Sequence, residues 1–155
     1  MKTPIEVFSD WAKDGRDEKM AQGHALSVNA MLDYVLNKLP KAFTFIDAGC
    51  GNGWVVRKVG DKNSCEKAIG IDGSKSMIEK AKSLDFKVSF TMDEDPNFVE
   101  VFKSVRADMV LANDKEFAKK VLDQIPFKIV FLSLSKWHQV TFLKRSILCE
   151  VTQKK

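Results

Sequence analysis

Phe43-Thr44-Phe45-Ile46-Asp47-Ala48-Gly49-Cys50-Gly51-Asn52-Gly53 is the stretch that decides the fold. Its first six residues are mostly aromatic, β-branched or small, which predicts a buried strand. Asp47 stands near the strand's end, and glycines then occupy every second position from Gly49 to Gly53. Glycine turns the chain tightly and leaves bare backbone against which a ligand can lie. A short helix is predicted from Trp54.

The pattern repeats downstream. Lys67 to Asp72 predicts a second strand, and Ser74 predicts the cap of a helix carrying Met77, Ile78 and Ala81. Further strands are predicted over 87–92, 108–112 and 127–134. Helices around Phe98–Val105 and Ala118–Ile125 separate them, the second ended by Pro126. Strands alternating with helices imply an α/β fold with a mostly parallel, doubly wound sheet and right-handed crossovers. The last segment reads in two ways. Residues 138–143 and 146–152 form an antiparallel hairpin across Lys144-Arg145, or 136–145 is a short helix before one last strand. The β-branched and aromatic residues favour the hairpin.

Upstream, the period is helical. Thr3 caps a helix with Pro4 at its first position, running to about Lys13, and Asp14-Gly15 breaks it. A second helix is expected from Arg16 to Leu39, its apolar stripe made by Val28, Met31, Leu32, Val35, Leu36 and Leu39. The chain of 155 residues thus reads as one domain, with N-terminal helices over 1–40 and the sheet-based core over 43–155.

Charge and cysteine content narrow the function classes. The net charge is +4, and the basic excess lies in 126–155, where six Lys and Arg face Glu150 alone. No arginine–aromatic interleaving accompanies it, so solvated lysines guarding edge strands explain it, and nucleic acid is permitted but not indicated. Cys50, Cys65 and Cys149 have no paired metal spacing, and no metal is expected. Pro4, Glu6 and Asp10 interrupt any apolar leader, and no apolar run approaches a membrane span of about 18 residues. The expected location is cytoplasmic, with no membrane contact.

In a doubly wound sheet, ligands sit beyond the carboxyl ends of the strands where strand order reverses. Asp72 ends the second strand 25 positions after Asp47, which suits a carboxylate that accepts hydrogen bonds from ribose hydroxyls. The dinucleotide fingerprint Gly-x-Gly-x-x-Gly is not met, because the third glycine comes one residue early and Trp54 holds the place reserved for it. That disfavours a nicotinamide oxidoreductase and favours a ligand with a smaller, zwitterionic tail.

The stretch Phe45 to Gly53 resembles the first motif of the class I S-adenosylmethionine-dependent methyltransferases. Ala68-Ile69-Gly70-Ile71-Asp72-Gly73-Ser74-Lys75-Ser76-Met77-Ile78 resembles their second strand and following helix. The resemblance is sharp over 43–81 and weak elsewhere. It implies a Rossmann-like fold and S-adenosylmethionine as cofactor. Gly49, Cys50, Gly51 and Gly73 would lie in the cofactor loops. Asp47 would anchor the first loop and help hold the amino group, Asp72 the ribose hydroxyls. Met77 would lie near the adenine, and Asp93, or Glu94 beside it, would read the adenine amino group.

The acceptor is not specified. Ala112-Asn113-Asp114-Lys115 occupies the segment where relatives often place acceptor residues, but it is not the Asn-Pro-Pro-aromatic signature. Asn113 or Asp114 faces the acceptor, or Asp114 caps the next helix. His24 and His138 are the base candidates, each of which is otherwise an ordinary surface or packing histidine. Trp11 and Phe8 are expected to pack along their helix, and Cys50 to pack rather than attack. The reading is a methyltransferase acting on a small-molecule or unidentified acceptor. Its alternative is a non-catalytic cofactor-binding domain, or a truncated or remodelled methyltransferase scaffold.

Overall fold

The computed structural model describes residues 2–37, 42–85, 87–92, 109–112, 130–133, 141–143 and 146–150. Two helices open it, α1 (Pro4–Asp14) and α2 (Arg16–Leu36). Thr3 and Glu6 form a reciprocal capping box at the start of α1, with Pro4 in its first turn. Gly15, at φ 76°, ends α1 and starts α2 without a break. The left-handed backbone there is what lets one residue serve both ends.

Next come β1 (Phe43–Ala48), α3 (Trp54–Gly60), β2 (Cys65–Asp72) and α4 (Lys75–Leu84). Five more strands follow: β3 (Ser89–Met92), β4 (Met109–Ala112), β5 (Val130–Ser133), β6 (Thr141–Leu143) and β7 (Ser146–Glu150). The strands form one sheet in the order β3-β2-β1-β4-β5-β7-β6. All pairings are parallel except β6 against β7. Of the two readings of the C-terminal segment, the structure has the antiparallel pair, with Phe142 opposite Ile147. β2 starts two residues earlier than expected, at Cys65, and β3 two residues later, at Ser89, ending as expected at Met92. The predicted helices near 98–105 and 118–125 lie outside the described residues.

The order of strands fixes where a ligand can sit. From β1 the chain steps outward through β2 to β3, then crosses to β4 and β5 on the opposite side. The reversal falls between β1 and β4, whose carboxyl ends align with Ala48 beside Ala112. Phe43 and Phe45 point to one face of β1 and join a core with Val28, Met31, Leu32 and Val35 of α2 and Val55, Val56 and Val59 of α3. Ile46 on the other face is also fully buried. A strand covered on both faces tolerates the near-continuous apolar run that Phe43 to Ala48 displays.

Candidate functional site

The site is assembled at the carboxyl ends of β1 and β2. The turn after β1 is pinned to β2, since the amides of Gly49 and Cys50 both donate to the Ile71 carbonyl, at 2.7 and 3.0 Å. Asp72 then ties the two loops together. Its Oδ2 accepts from the Gly51 amide at 2.8 Å, and its Oδ1 accepts from the Ser74 amide at 2.8 Å. A carboxylate oxygen can accept more than one hydrogen bond. Ser74 is buried and caps α4, its hydroxyl accepting from the Met77 amide.

Gly51 and Gly53 of the loop have different reasons to be glycine. Gly49, Gly51 and Gly53 all lie at positive φ, at 83°, 55° and 74°. A Cβ on Gly51 would meet nothing within 4 Å. A Cβ on Gly53 would run into the Phe90 ring, 2.6 Å from Cζ. The third glycine therefore makes room for a ring of β3, and the bare backbone open to a ligand is at Gly51. Gly70 of β2 makes room for the same ring, its notional Cβ lying 2.6 Å from Phe90 Cδ1 and 2.8 Å from Cys50 Sγ.

Two acids meet at this end of the sheet. Asp47 is buried on β1, and burial raises its carboxyl to about 8, with the charge of Asp72 pushing the same way. At neutral pH Asp47 therefore holds its proton. Burial also pushes the Cys50 thiol well above its ordinary range, with Asp47 and Asp72 adding to the effect. A protonated, buried thiol is no nucleophile.

The other expected site residues fall as follows. Gly49 is exposed, while Gly51, Asp72 and Gly73 are half-buried. The Met77 side chain is only 1% exposed, on the buried side of α4. His24 is exposed on α2. Asp93, Glu94, Asn113, Asp114 and His138 lie outside the described residues.

Other participants were not singled out by the sequence. Asn52, at the crown of the loop, is 5% exposed. Its Nδ2 donates to Asp17 Oδ2 of α2 at 2.8 Å, and its Oδ1 accepts from the Trp54 amide at 3.2 Å. Arg57 donates to the Asn52 carbonyl at 2.6 Å. Asp17 Oδ1 accepts from Lys80 Nζ at 2.8 Å, and Lys80 also reaches Glu18 at 3.0 Å. The hydroxyls of Ser9 and Ser74 are 2.8 Å apart. An amide-bearing residue between two glycines was the available signal for Asn52. Asp17 carries no comparable signal, because acids are common in the first turn of any helix.

The sequence matches the model of a methyltransferase domain family over residues 46–128, more than half of the chain, and the chain belongs to that family. This agrees with the resemblance to class I S-adenosylmethionine-dependent methyltransferases carried by Asp47–Gly53 and Asp72. No curated protein matches the sequence. Among solved structures, the chain is similar to the protein held in complex with the Haloferax volcanii Trm112 methyltransferase activator. That pair shares 24% identity at a TM-score of 0.55, covering 76% of this chain and 53% of the other. It is also similar to DhpI in its SAH complex, at 13% identity and a TM-score of 0.56, covering 77% and 59%. At these identities the likeness speaks for the fold. The chain spans between half and three-fifths of the length of these two structures. Among the described residues, no helix is long and apolar enough to cross a membrane.

Proposed function

We propose that this methyltransferase-family chain binds S-adenosylmethionine across the Gly49–Gly53 loop and the Asp72–Ser74 turn, and transfers its methyl group to an acceptor. The observation that carries the reading is the pairing of open backbone at Gly51 with the Asp72 carboxylate that its amide bonds, at the carboxyl ends of β1 and β2 beside the switch point of the sheet. The donor set fits an adenosyl amino acid. Ribose hydroxyls need an acceptor, which Asp72 supplies. A sulfonium-bearing tail needs close backbone rather than a cluster of cations, and Gly51 offers that space.

In this reading Asp72 holds the ribose, and the backbone of Gly49, Cys50, Gly51 and Gly73 flanks the ligand. Asp47 gives up its proton to face the amino group, because an ammonium neighbour favours the carboxylate that burial disfavours. Met77, from beneath α4, and Asp93 complete the adenine side. When bound, S-adenosylmethionine supplies an electrophilic methyl group on sulfur. The chain's own work is to fix the acceptor in line behind that methyl and to exclude water from it. A base is required only where the acceptor carries a proton; His24 is the candidate for that role, and Asn113 is assigned to face the acceptor without acting as a base.

Titration calorimetry with S-adenosylmethionine, S-adenosylhomocysteine and NAD tests the binding half. Wild type should take both adenosyl ligands and not NAD, and Asp72→Ala should lose about 1.5–3 kcal/mol, the worth of a hydrogen bond to a charged group. Absence of adenosyl binding, or an unchanged affinity in Asp72→Ala, overturns the site. Methyl release across acceptor classes tests the transfer half, and tight binding with no release in any of them would leave a binding domain instead.

A further inference from the structure

Among the described residues, four polar side chains are buried: Asp17, Asp47, Asn52 and Ser74. Asp47 stands on β1 just before the glycine turn, Asn52 within that turn and Ser74 in the turn after Asp72, while Asp17 is bonded to Asn52 from a helix 35 residues earlier in the chain. Burying a carboxylate is costly unless it is paired. The stripe of α2 that builds the core is Val28, Met31, Leu32 and Val35, so the helix does not need an acid at position 17 in order to pack. The side chain of Asp17 is fully covered, and each of its oxygens has one partner: Asn52 from the loop and Lys80 from α4. The hydrogen bond to Asp17 is the first reason the Lys80 ammonium is held above its ordinary range.

We propose that Asp17 is a positioning residue for the cofactor, acting from α2 through Asn52 to hold the glycine loop in its binding form. This rests on the reading of the loop as the S-adenosylmethionine site. Asn52 lies between Gly51 and Gly53, both in left-handed backbone. Two such glycines give the loop many alternative conformations, and a ligand that selects one of them must meet the ordering cost. The Asn52 side chain removes that freedom at both ends: its oxygen fixes the start of α3, and its nitrogen is fixed by Asp17. The Ser9–Ser74 hydroxyl pair holds the second turn from α1 in the same way. Each cofactor turn therefore has one anchor on the N-terminal helical pair. That pair is part of the binding unit rather than a separate cover.

The test measures S-adenosylhomocysteine dissociation constants by calorimetry, at a temperature where circular dichroism shows every variant folded. Asp17→Ala is expected to weaken binding by about ten-fold or more, through the ordering cost returned to the loop. Val28→Ala cuts into the same helix's core and removes no hydrogen bond to the loop, and is expected to stay within about two-fold of wild type. Because Asp17 acts through Asn52, the double variant Asp17→Ala/Asn52→Ala should bind no worse than the weaker single variant. Should Asp17→Ala fail to fold, Asn52→Ala carries the same expectation from the loop side, leaving Asp17 with Lys80. Equal losses in Asp17→Ala and Val28→Ala would mean that the helix merely supports the fold and would overturn the proposal. So would losses that multiply in the double variant, or an unchanged affinity in Asp17→Ala with wild type still binding. If wild type itself does not bind, the cofactor reading falls, and the positioning role falls with it.

Discussion

Asp47 gives the site a pH signature that can be read without any ligand. Its carboxyl stands at about 8 in the folded chain, driven first by burial and then by the charge of Asp72. In the unfolded chain it returns to the ordinary aspartate range near ~3.9. The raised folded value means that the native state keeps a proton the unfolded state gives up. Its stability is therefore fullest below the unfolded value and drains away as pH rises towards the folded one. Between these limits the loss is about 1.4 kcal/mol per pH unit, or ~2.7 kcal/mol from pH 5 to pH 7. Urea unfolding of wild type and Asp47→Asn at pH 5, 6, 7 and 8 measures it. Asparagine cannot ionise, so the variant should lose this part of the pH slope, and the difference between the two proteins should grow across that window. Parallel slopes, with a constant offset between them, would refute the assignment of a proton to Asp47.

Other perturbations separate ligand space from packing space. Gly51→Ala should cost ~1–2 kcal/mol of stability for a left-handed alanine, yet abolish most adenosyl affinity, as thermal shift with and without S-adenosylhomocysteine will show. Gly53→Ala meets the Phe90 ring as well as the same backbone penalty, so its unfolding free energy should fall further, by ~3 kcal/mol or more in total. Ser74→Ala removes the α4 cap and the Ser9 contact, and should cost about 1 kcal/mol by urea unfolding. Binding of S-adenosylhomocysteine at pH 7 should release close to one proton from Asp47. Calorimetry in phosphate and in Tris would reveal this as a difference in apparent enthalpy, and identical enthalpies would refute it.

Much of the fold was legible because each signal was local. The run Phe43–Ala48 predicts β1 with the bounds it has, and Thr3, Pro4 and Gly15 mark the ends of α1 by capping chemistry alone. The C-terminal hairpin was readable from β-branched and aromatic content, although β6 is only three residues long. The glycine loop was legible as a loop, but the division of labour among its glycines was not. Gly53 is required by Phe90, which lies 37 residues later, and no local pattern reports such a contact. The same holds for Asp17. Its place in the first turn of a helix is explained by the helix dipole, so nothing in the sequence distinguishes a surface acid from one buried against Asn52. Asp93, proposed for the adenine side, rests on resemblance alone.

Phe90 makes a single object out of three distant positions. The ring fills the volume that side chains at Gly53 and Gly70 would need, and it lies close to Cys50 through the same space. These residues therefore cannot vary one at a time. A larger residue at 70 meets both the Phe90 ring and Cys50 Sγ, so Phe90→Leu should relieve part of the cost of Gly70→Ala even though neither residue is assigned a contact with ligand. The glycine turn thus inherits its shape partly from an aromatic two strands away, and a chain that kept every glycine but altered that ring would present the same motif on a differently seated loop.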